Sequence, residues 1–253
     1  PAYTEREVEF ILKNAGCRGI VFAESSRGKD LRAIVNGVKS RLPELELLVP
    51  ITDIGALQAA GDPAMRLPEQ DPRDTLQIQY TSGTTGFPKG ACLHHLGVIN
   101  VAHAVVERAN FPVGGVWLNS MPMFHIGGAV VSEIGTFSRR GTFVLMQAFD
   151  PGLFLELIEA ERVNCSLIVP TMILALLNHP DLPNRDMSSF GSILSGAAVV
   201  PAPLVRRATE TFDCRFAITY GQTEANGTFI ETLTSDPIEL QAELSLQADG
   251  ALV

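Results

Sequence analysis

Short apolar segments alternate with amphipathic segments along the chain, and this alternation predicts its secondary structure. TEREVEFILKNAG predicts a helix with Thr4 as N-cap, Glu7 as the capping-box partner and Gly16 as the stop. The strand GIVFA, a helix over RGKDLRAIVNGVKSRL and the strand LELLV follow. From Thr52 to Arg73 the periodicity fades and Gly, Asp and Pro accumulate, which indicates a linker. We therefore predict one partial α/β subdomain with its linker over residues 1–73 and a second over 74–253.

The alternation becomes regular after the linker. Strands are predicted at TLQIQY, VWL, TFVLM, CSLIV, GSILS and CRFAITY, and helices at LGVINVAHAVVERA, DPGLFLELIEAERV, TMILALL and PAPLVRRATETF. In the helix that follows TFVLM, Asp150 is the expected N-cap and Pro151 the first helical residue. Strands alternating with helices of roughly 10–15 residues predict right-handed βαβ units. The expected fold class is α/β, with mostly parallel sheets flanked by helices.

Composition excludes several classes of protein. The chain has 253 residues and a formal net charge of -9, with 28 acidic and 19 basic residues, so we expect no nucleic-acid partner. Its four cysteines are far apart, which argues against a disulfide framework or a zinc site. The most apolar stretch, CSLIVPTMILALL, is too short to span a bilayer, and the first residues of the sequence do not show the charged and then apolar pattern that would predict a signal peptide. We expect a cytoplasmic location.

Three polar turns each follow the carboxyl end of a predicted strand. They are TSGTTGFPKG, SGAA and GQTE. In open α/β sheets ligands bind at this edge, so the three turns are expected to contribute to one crevice.

The first of these turns has the chemistry of a phosphate-binding loop. Its glycines allow successive backbone N–H groups to point inward, four hydroxyl side chains add donors, and Lys89 adds a positive charge. We expect the loop to open onto a helix. It differs from the Walker motif, in which Lys follows Gly directly and is followed by Ser or Thr, because here Pro88 precedes Lys89 and Gly90 follows it. A P-loop kinase or ATPase is therefore disfavoured.

These motifs carry a resemblance to a known superfamily. YTSGTTGFPKG resembles the phosphate-loop signature of the adenylate-forming enzymes, which include acyl-CoA synthetases, luciferases and the adenylation domains of peptide synthetases. PMFHIGG resembles their acyl-site motif, ITYGQTE resembles the motif that joins adenine, α-phosphate and magnesium, and SGAAV stands at the position of the adenine-contacting turn. The resemblance runs from about Leu76 to about Glu231. Within the superfamily, the sequence most resembles the acyl-CoA synthetase branch.

The resemblance implies a reaction and its cosubstrates. A carboxylate attacks the α-phosphorus of ATP, pyrophosphate leaves, and CoA thiolate then displaces AMP from the acyl-adenylate. Such chemistry requires positioning, charge stabilisation and Mg²⁺ rather than a protein nucleophile. The expected partners are therefore ATP, Mg²⁺, CoA and a small carboxylic acid, which the resemblance to that branch implies is a fatty acid.

The resemblance also implies roles for individual residues. The β- and γ-phosphates would be held by the loop residues Thr81, Ser82, Gly83, Thr84, Thr85, Gly86 and Lys89. Thr223 would bind the α-phosphate and Glu224 would ligate Mg²⁺. Adenine would stack on Tyr220, beside Gly221, with its edge against the backbone of Gly196, Ala197 and Ala198.

His125 is expected at the carboxylate end of the acyl pocket, where it would shape the pocket and polarise the acid. Amino-acid-activating relatives resemble F-D-x-S at this motif, with the Asp pairing with the substrate ammonium. Phe124-His125 lacks that anion, so the resemblance favours a simple carboxylic acid over an α-amino acid.

The later motifs of the family are not found in the sequence. A T-G-D-like turn for the ribose, the domain hinge and the small C-terminal domain with its lysine would lie beyond it, so a chain shortened at both ends is the expectation. Two alternatives remain open: a ligase that loads a carrier protein instead of CoA, and a non-catalytic nucleotide-binding module.

Overall fold

The computed structural model describes residues 3–81 and 88–250, with side chains described up to residue 244. These residues form two compact units. The smaller unit lies within Pro1–Asp71 and Tyr80–Gly90, and the larger within Pro72–Gln79 and Ala91–Val253. None of the described helices is both long enough and apolar enough to cross a bilayer.

The smaller unit is a short α/β arrangement. In chain order its elements are α1 (Glu5–Asn14), β1 (Gly19–Phe22), β2 (Ser25–Ser26), β3 (Lys29–Asp30), α2 (Leu31–Lys39), β4 (Leu47–Pro50) and α3 (Ile54–Ala59). The predicted capping box is present, because the Thr4 side chain accepts from the Glu7 N–H while the Glu7 carboxylate accepts from the Thr4 N–H. β1 and β4 pair in parallel, and Leu12, Val38 and Leu45 are buried between the helices and this pair.

α2 begins later than the sequence predicts. Residues expected in its first turn form the β2–β3 hairpin, with Arg27 and Gly28 at positive φ in the turn. Asp30 then caps α2 by accepting a hydrogen bond from the Ala33 N–H. The predicted linker after β4 also contains a 3₁₀ turn (Ile51–Asp53) and α3 before it becomes irregular.

The larger unit is built on a six-stranded sheet. Its elements are α4 (His95–Arg108), β7 (Val116–Asn119), α5 (Gly135–Ser138), β8 (Thr142–Leu145), α6 (Pro151–Ala160), β9 (Cys165–Leu167), α7 (Pro170–Leu177), β10 (Ser192–Gly196), α8 (Ala202–Phe212), β11 (Arg215–Gln222), β12 (Gly227–Glu231) and α9 (Ile238–Gly250). A separate two-stranded sheet is formed by β5 (Thr75–Thr81) and β6 (Lys89–His94).

The strand order of the large sheet is β12-β11-β10-β9-β7-β8. Every pair is parallel except β11–β12, which is antiparallel. The expected α/β class is therefore confirmed. The carboxyl ends of β7, β10 and β11 lie at the same edge because these strands run in the same direction.

Apolar side chains fill both faces of the sheet. One face is covered by α6, α7 and α8, whose core includes the edge-to-face chain of Phe154, Phe190 and Phe212. On the other face α4 packs against the strands, with Trp117 fully buried edge-to-face against Phe111. Asp150 caps α6 as predicted, with Pro151 in the first turn.

Four elements differ from the sequence expectation. The phosphate-loop segment leads into strand β6 and not directly into a helix, so that prediction was wrong. The segment after His125, for which the sequence predicts no helix, forms a π-helical segment, Gly127–Ile134. β12 and α9 were not predicted. β6 depends on its pairing with β5, which a short sequence window does not encode.

Candidate functional site

The described ends of the predicted phosphate loop lie in the smaller unit. Thr81 ends β5, Lys89 begins β6, and the Thr81 hydroxyl lies 3.5 Å from the Lys89 carbonyl oxygen. The Lys89 side chain is exposed. Ser82, Gly83, Thr84, Thr85 and Gly86 lie outside the described residues, so their role in holding phosphates stays a prediction.

In the larger unit the loop before His125 is held by a glutamine of β5. The Gln79 amide donates to the Phe124 carbonyl oxygen at 2.9 Å. Gln79 is buried, whereas Leu76 and Ile78 on the alternate positions are about 40% exposed. The strand thus uses a polar residue on its buried side to fix the loop that carries His125.

His125 sits immediately before the π-helical segment Gly127–Ile134. Its Nδ1 accepts a hydrogen bond from the Gly127 N–H at 3.0 Å, so the neutral ring carries its proton on Nε2. Partial burial lowers the pKa of His125 below its usual value, although part of the residue remains exposed. At neutral pH the ring therefore presents an uncharged N–H donor.

The glycine at position 128 is required by the path of this loop. A Cβ at Gly128 would lie 2.4 Å from the Pro122 carbonyl oxygen, which no side chain could tolerate. π-helical turns occur frequently at functional sites. Here the Ser132 hydroxyl donates a hydrogen bond of 2.8 Å to the Gly127 carbonyl oxygen. A side chain thus satisfies a backbone acceptor at the start of the segment.

The SGAA turn leaves the carboxyl end of β10. Gly196 is buried and pairs with Thr219 of β11, and a Cβ there would lie 2.2 Å from the Thr219 carbonyl oxygen. Ala197 has φ 63°, an uncommon conformation for a residue with a side chain. Ala197 and Ala198 are exposed, so the turn presents its backbone at the sheet edge.

β11 ends in an irregular pairing at Tyr220 and Gly221. The register with β12 shifts between these two residues, and a Cβ at Gly221 would lie 1.8 Å from the Gly227 carbonyl oxygen. The half-buried Tyr220 ring packs edge-to-face on Phe229, with centroids 5.1 Å apart. Because Gly221 has no side chain, the backbones of β11 and β12 can approach each other closely at this point. This close approach fixes the direction of the turn that follows.

Thr223 and Glu224 stand on a 3₁₀ turn, Thr223–Ala225, directly after β11. The turn ends at Asn226, whose φ is 62° and whose N–H donates to the Thr223 carbonyl oxygen. Thr223 is half-buried and Glu224 is exposed. Among residues 3–81 and 88–244, no cluster of three or more acidic, His or Cys side chains could hold a metal on its own. A single exposed carboxylate fits Mg²⁺, which keeps several waters and takes further oxygens from a bound phosphate.

The fold brings three of the predicted motifs to one edge of the large sheet. His125 follows β7, the turn at residues 196–198 follows β10, and Glu224 follows β11. The backbone of Gly227 lies beside the residue next to His125, because a Cβ at Gly227 would lie 3.5 Å from the Ile126 side chain. Thr81 and Lys89 belong to the other unit, and their joint action with this edge stays a prediction.

Two residues of this edge were missed by the sequence reasoning. Asn226 has a buried side-chain oxygen without a hydrogen-bond partner among the described residues, and Gly227 has φ 123°. The Asn-Gly pair, a common turn signal before a strand, could have indicated both β12 and this turn.

Comparison with known proteins places these motifs in a family. The AMP-binding enzyme family model matches residues 1–247. The chain is 28% identical to the putative acyl-CoA synthetase YngI of Bacillus subtilis, over 97% of this chain and 50% of that protein. It is 27% identical to the mitochondrial medium-chain acyl-CoA ligase ACSF2 of Bos taurus, over 96% of this chain and 45% of that protein. The chain thus spans about half the length of these relatives.

Solved structures show the same fold. The inhibitor-bound N-terminal domain of FACL13 from Mycobacterium tuberculosis superposes with a TM-score of 0.82 at 22% identity, covering 94% of this chain and 59% of that one. ATP-bound MatB from Rhodopseudomonas palustris superposes with a TM-score of 0.80 at 24% identity, covering 93% of this chain and 46% of that one. With its three motifs in order and a family match over nearly its whole length, the chain belongs to the AMP-binding enzyme family.

Proposed function

We propose that the complete protein containing this chain is an AMP-forming ligase that activates a carboxylic acid, most simply a fatty acid, and transfers it to CoA. Acid and ATP first form acyl-adenylate and pyrophosphate. The carboxylate oxygen bonds to the α-phosphorus, and the bond to the pyrophosphate oxygen breaks. CoA thiolate then bonds to the acyl carbon and AMP leaves.

The observation that carries the proposal is the shared edge of the sheet in the larger unit. His125, the backbone turn at residues 196–198 and the Thr223–Ala225 turn all follow carboxyl ends of strands that run in the same direction. Ligands bind at this edge in open α/β sheets. The motifs at this edge are those expected to handle the acid, the adenine and the α-phosphate respectively.

The nucleotide would be held by both backbone and side chains. Tyr220 offers a half-buried aromatic face, and the exposed backbone after Gly196 offers hydrogen-bonding groups to the base. The Thr223 hydroxyl would donate to the α-phosphate. Lys89, which is exposed, would hold the β- and γ-phosphates together with the loop from Thr81.

Mg²⁺ would be ligated by Glu224 and would neutralise charge on the phosphate oxygens. The chain's own contribution is to keep that carboxylate on a short turn at the sheet edge, exposed to a ligand. The turn is anchored by the hydrogen bond from Asn226 to Thr223.

His125 would orient the acid. With Nδ1 occupied by the Gly127 N–H, its Nε2–H can donate to one carboxylate oxygen and leave the other to attack. The lowered pKa favours the neutral ring at physiological pH. A neutral donor holds the carboxylate without the strong charge pairing that would reduce its nucleophilicity.

The test is pyrophosphate release by the complete protein with ATP, Mg²⁺ and a panel of fatty, aromatic and amino acids. Lys89→Ala and Glu224→Ala should each lower the acid-dependent rate by roughly 10²-fold or more, because charge stabilisation of the phosphates is lost. Lys13→Ala and Glu210→Ala, which remove exposed charges of the same kind on α1 and α8, should leave it unchanged.

Each alternative function predicts a different product. CoA-dependent release of AMP supports the ligase, whereas release only with a carrier-protein thiol supports the carrier-loading variant. ATP binding without pyrophosphate release with any acid would contradict the proposal and indicate a nucleotide-binding module. ADP as product would indicate phosphoryl transfer to another acceptor.

A further inference from the structure

The turn that carries Thr223 and Glu224 is a short connection between two antiparallel strands. Gln222 at the end of β11 pairs with Gly227 at the start of β12, so the connection spans residues 223–226. β12 is the terminal strand of the six-stranded sheet. Strand pairing therefore holds the connection at its base, and any further support for its tip comes from elements outside the sheet.

Asn226 makes such a contact with α4. It ends the turn with φ 62°, a left-handed conformation that asparagine adopts more readily than most residues. A Cβ at Gly97, in the first turn of α4, would lie 2.7 Å from the Asn226 Nδ2 atom and 2.9 Å from its Cγ atom. The amide group of Asn226 thus occupies the space that a side chain at position 97 would need.

The first turn of α4 is firmly anchored beneath this amide. His94 caps the helix, and its Nδ1 accepts a hydrogen bond of 2.9 Å from the Gly97 N–H. The Leu96 N–H donates to the Pro72 carbonyl oxygen at 2.8 Å. The His94 Cε1 atom would also lie 2.7 Å from a Cβ at Gly97, so the imidazole and the Asn226 amide meet over this glycine. Glycine weakens a helix relative to alanine, but here it leaves room for both groups.

The contact between Asn226 and Gly97 is made at the expense of stability. The side-chain oxygen of Asn226 is enclosed by the protein and has no hydrogen-bond partner among residues 3–81 and 88–244. An unpaired buried oxygen, a left-handed residue with a side chain and a glycine inside a helix each disfavour the folded state. Unfavourable local features of this kind cluster at functional sites, where the surrounding structure holds them in place.

We propose that Asn226 is a positioning residue. Its side chain, seated on Gly97, would hold the Thr223–Ala225 turn in the orientation that presents Thr223 to the α-phosphate and Glu224 to Mg²⁺. This inference rests on the ligase function proposed above. In that function the turn aligns a hydroxyl and a carboxylate with one bound nucleotide, and a displacement of about 1 Å can lower a rate by about 10²-fold.

The test is Asn226→Gly in the complete protein. Glycine adopts the same left-handed backbone without strain, so the variant keeps the path of the chain and removes only the side chain. The KM for ATP and the Mg²⁺ concentration for half-maximal pyrophosphate release should each rise about tenfold or more. The KM for the acid should not change, because His125 follows a different strand. The thermal unfolding midpoint should be no lower than that of wild type, since an unpaired oxygen is no longer buried.

Matched variants separate this contact from general effects of the substitutions. Asn110→Gly, at the exposed end of α4 with φ 58°, makes the same change at another left-handed asparagine and should leave the KM for ATP and the Mg²⁺ requirement unchanged. Gly97→Ala should reproduce the kinetic effect with Asn226 intact, because the new methyl displaces the amide. Gly55→Ala, in α3, adds a methyl with nothing within 4 Å and should behave as wild type.

Two further measurements show whether Asn226 acts through the turn. Asn226→Gly combined with Glu224→Ala should lose less activity than the product of the two single losses, as expected for residues that act together. Calorimetric binding of ATP in the presence of Mg²⁺ should weaken about tenfold in Asn226→Gly, independently of turnover.

Three outcomes for Asn226→Gly overturn this inference and leave the ligase function standing. They are unchanged ATP binding and Mg²⁺ requirement, an equal rise in the KM for acid and ATP, and a lower unfolding midpoint with unchanged kinetics. Absence of pyrophosphate release by wild type with every acid overturns the ligase function itself, and the binding measurement then decides the role of Asn226.

Discussion

Replacing Glu231 with glutamine should remove a large pH dependence from the stability of the protein. The carboxyl group is almost fully enclosed between α4 and β12, and burial raises its pKa from 4.5 to about 8. In the unfolded chain the same group returns to its ordinary pKa. Between these two values the folded state holds a proton that the unfolded state has released.

The sign follows from this difference in bound protons. Stability falls as pH rises wherever the folded state binds more protons, so Glu231 costs nothing below pH 4.5 and progressively more up to pH 8. Each pKa unit corresponds to about 1.4 kcal/mol, so the cost grows by about 3–4 kcal/mol between pH 5 and pH 8. Glutamine has nearly the same shape and no titrating proton, so Glu231→Gln avoids this cost.

The assay is thermal unfolding of wild type and Glu231→Gln in parallel at several pH values from 5 to 9. The other titrating groups affect both proteins equally, so their contributions cancel in the difference between the two unfolding midpoints. It should shift in favour of Glu231→Gln by roughly 7–14 °C between pH 5 and pH 8, given about 2–4 °C per kcal/mol for a unit of this size. Glu210→Gln, on the exposed face of α8, should track wild type throughout. A midpoint difference that stays constant with pH would refute the reasoning.

Two further substitutions test the geometry of the sheet edge. Gly221→Ala should destabilise the protein by about 1–3 kcal/mol or more, because the new methyl meets the Gly227 carbonyl oxygen, whereas Gly191→Ala, whose nearest contact is 3.6 Å away, should be far milder in urea unfolding. Equal effects of the two would contradict the close approach. His125→Ala should lower kcat/KM for the acid about 10–100-fold with little change in the KM for ATP, as expected for loss of one hydrogen bond to a charged group. His125→Gln should recover part of the loss, and unchanged acid kinetics in His125→Ala would exclude a contact with the acid.

Much of the fold is predictable because its signals are local. The Thr4 and Asp150 caps each lie within three residues of the N–H group they bind, so sequence alone places the starts of α1 and α6. The same holds for the alternation of short apolar strands and amphipathic helices that predicts the parallel sheet. By contrast, β6 is formed by KGACLH, which has no strong strand pattern and depends on its pairing with β5.

The candidate site was predictable to the level of motifs but not of partners. The three turns were expected at one sheet edge, and the larger unit places two of them there together with His125. From the sequence, Gln79 would be placed on the solvent side of its strand, because its neighbours are apolar. In the structure Gln79 is buried, and its side chain donates a hydrogen bond to the loop that carries His125. The environment of Glu231 is created by the packing of α4 against β12, which no window around position 231 encodes.

The π-helical segment after His125 has a consequence for how relatives of this protein can diverge. A π turn holds one residue more than an α turn. Deletion of a single residue there can therefore restore α-helical hydrogen bonding while the helix stays continuous. Such a deletion rotates the side chains on one side of it by about 100° relative to those on the other. Val130 and Val131, now buried against the rest of the unit, would exchange places with their neighbours while the strands stayed fixed. The segment is therefore a point at which the loss of one codon can reshape the surroundings of His125 in a single evolutionary step.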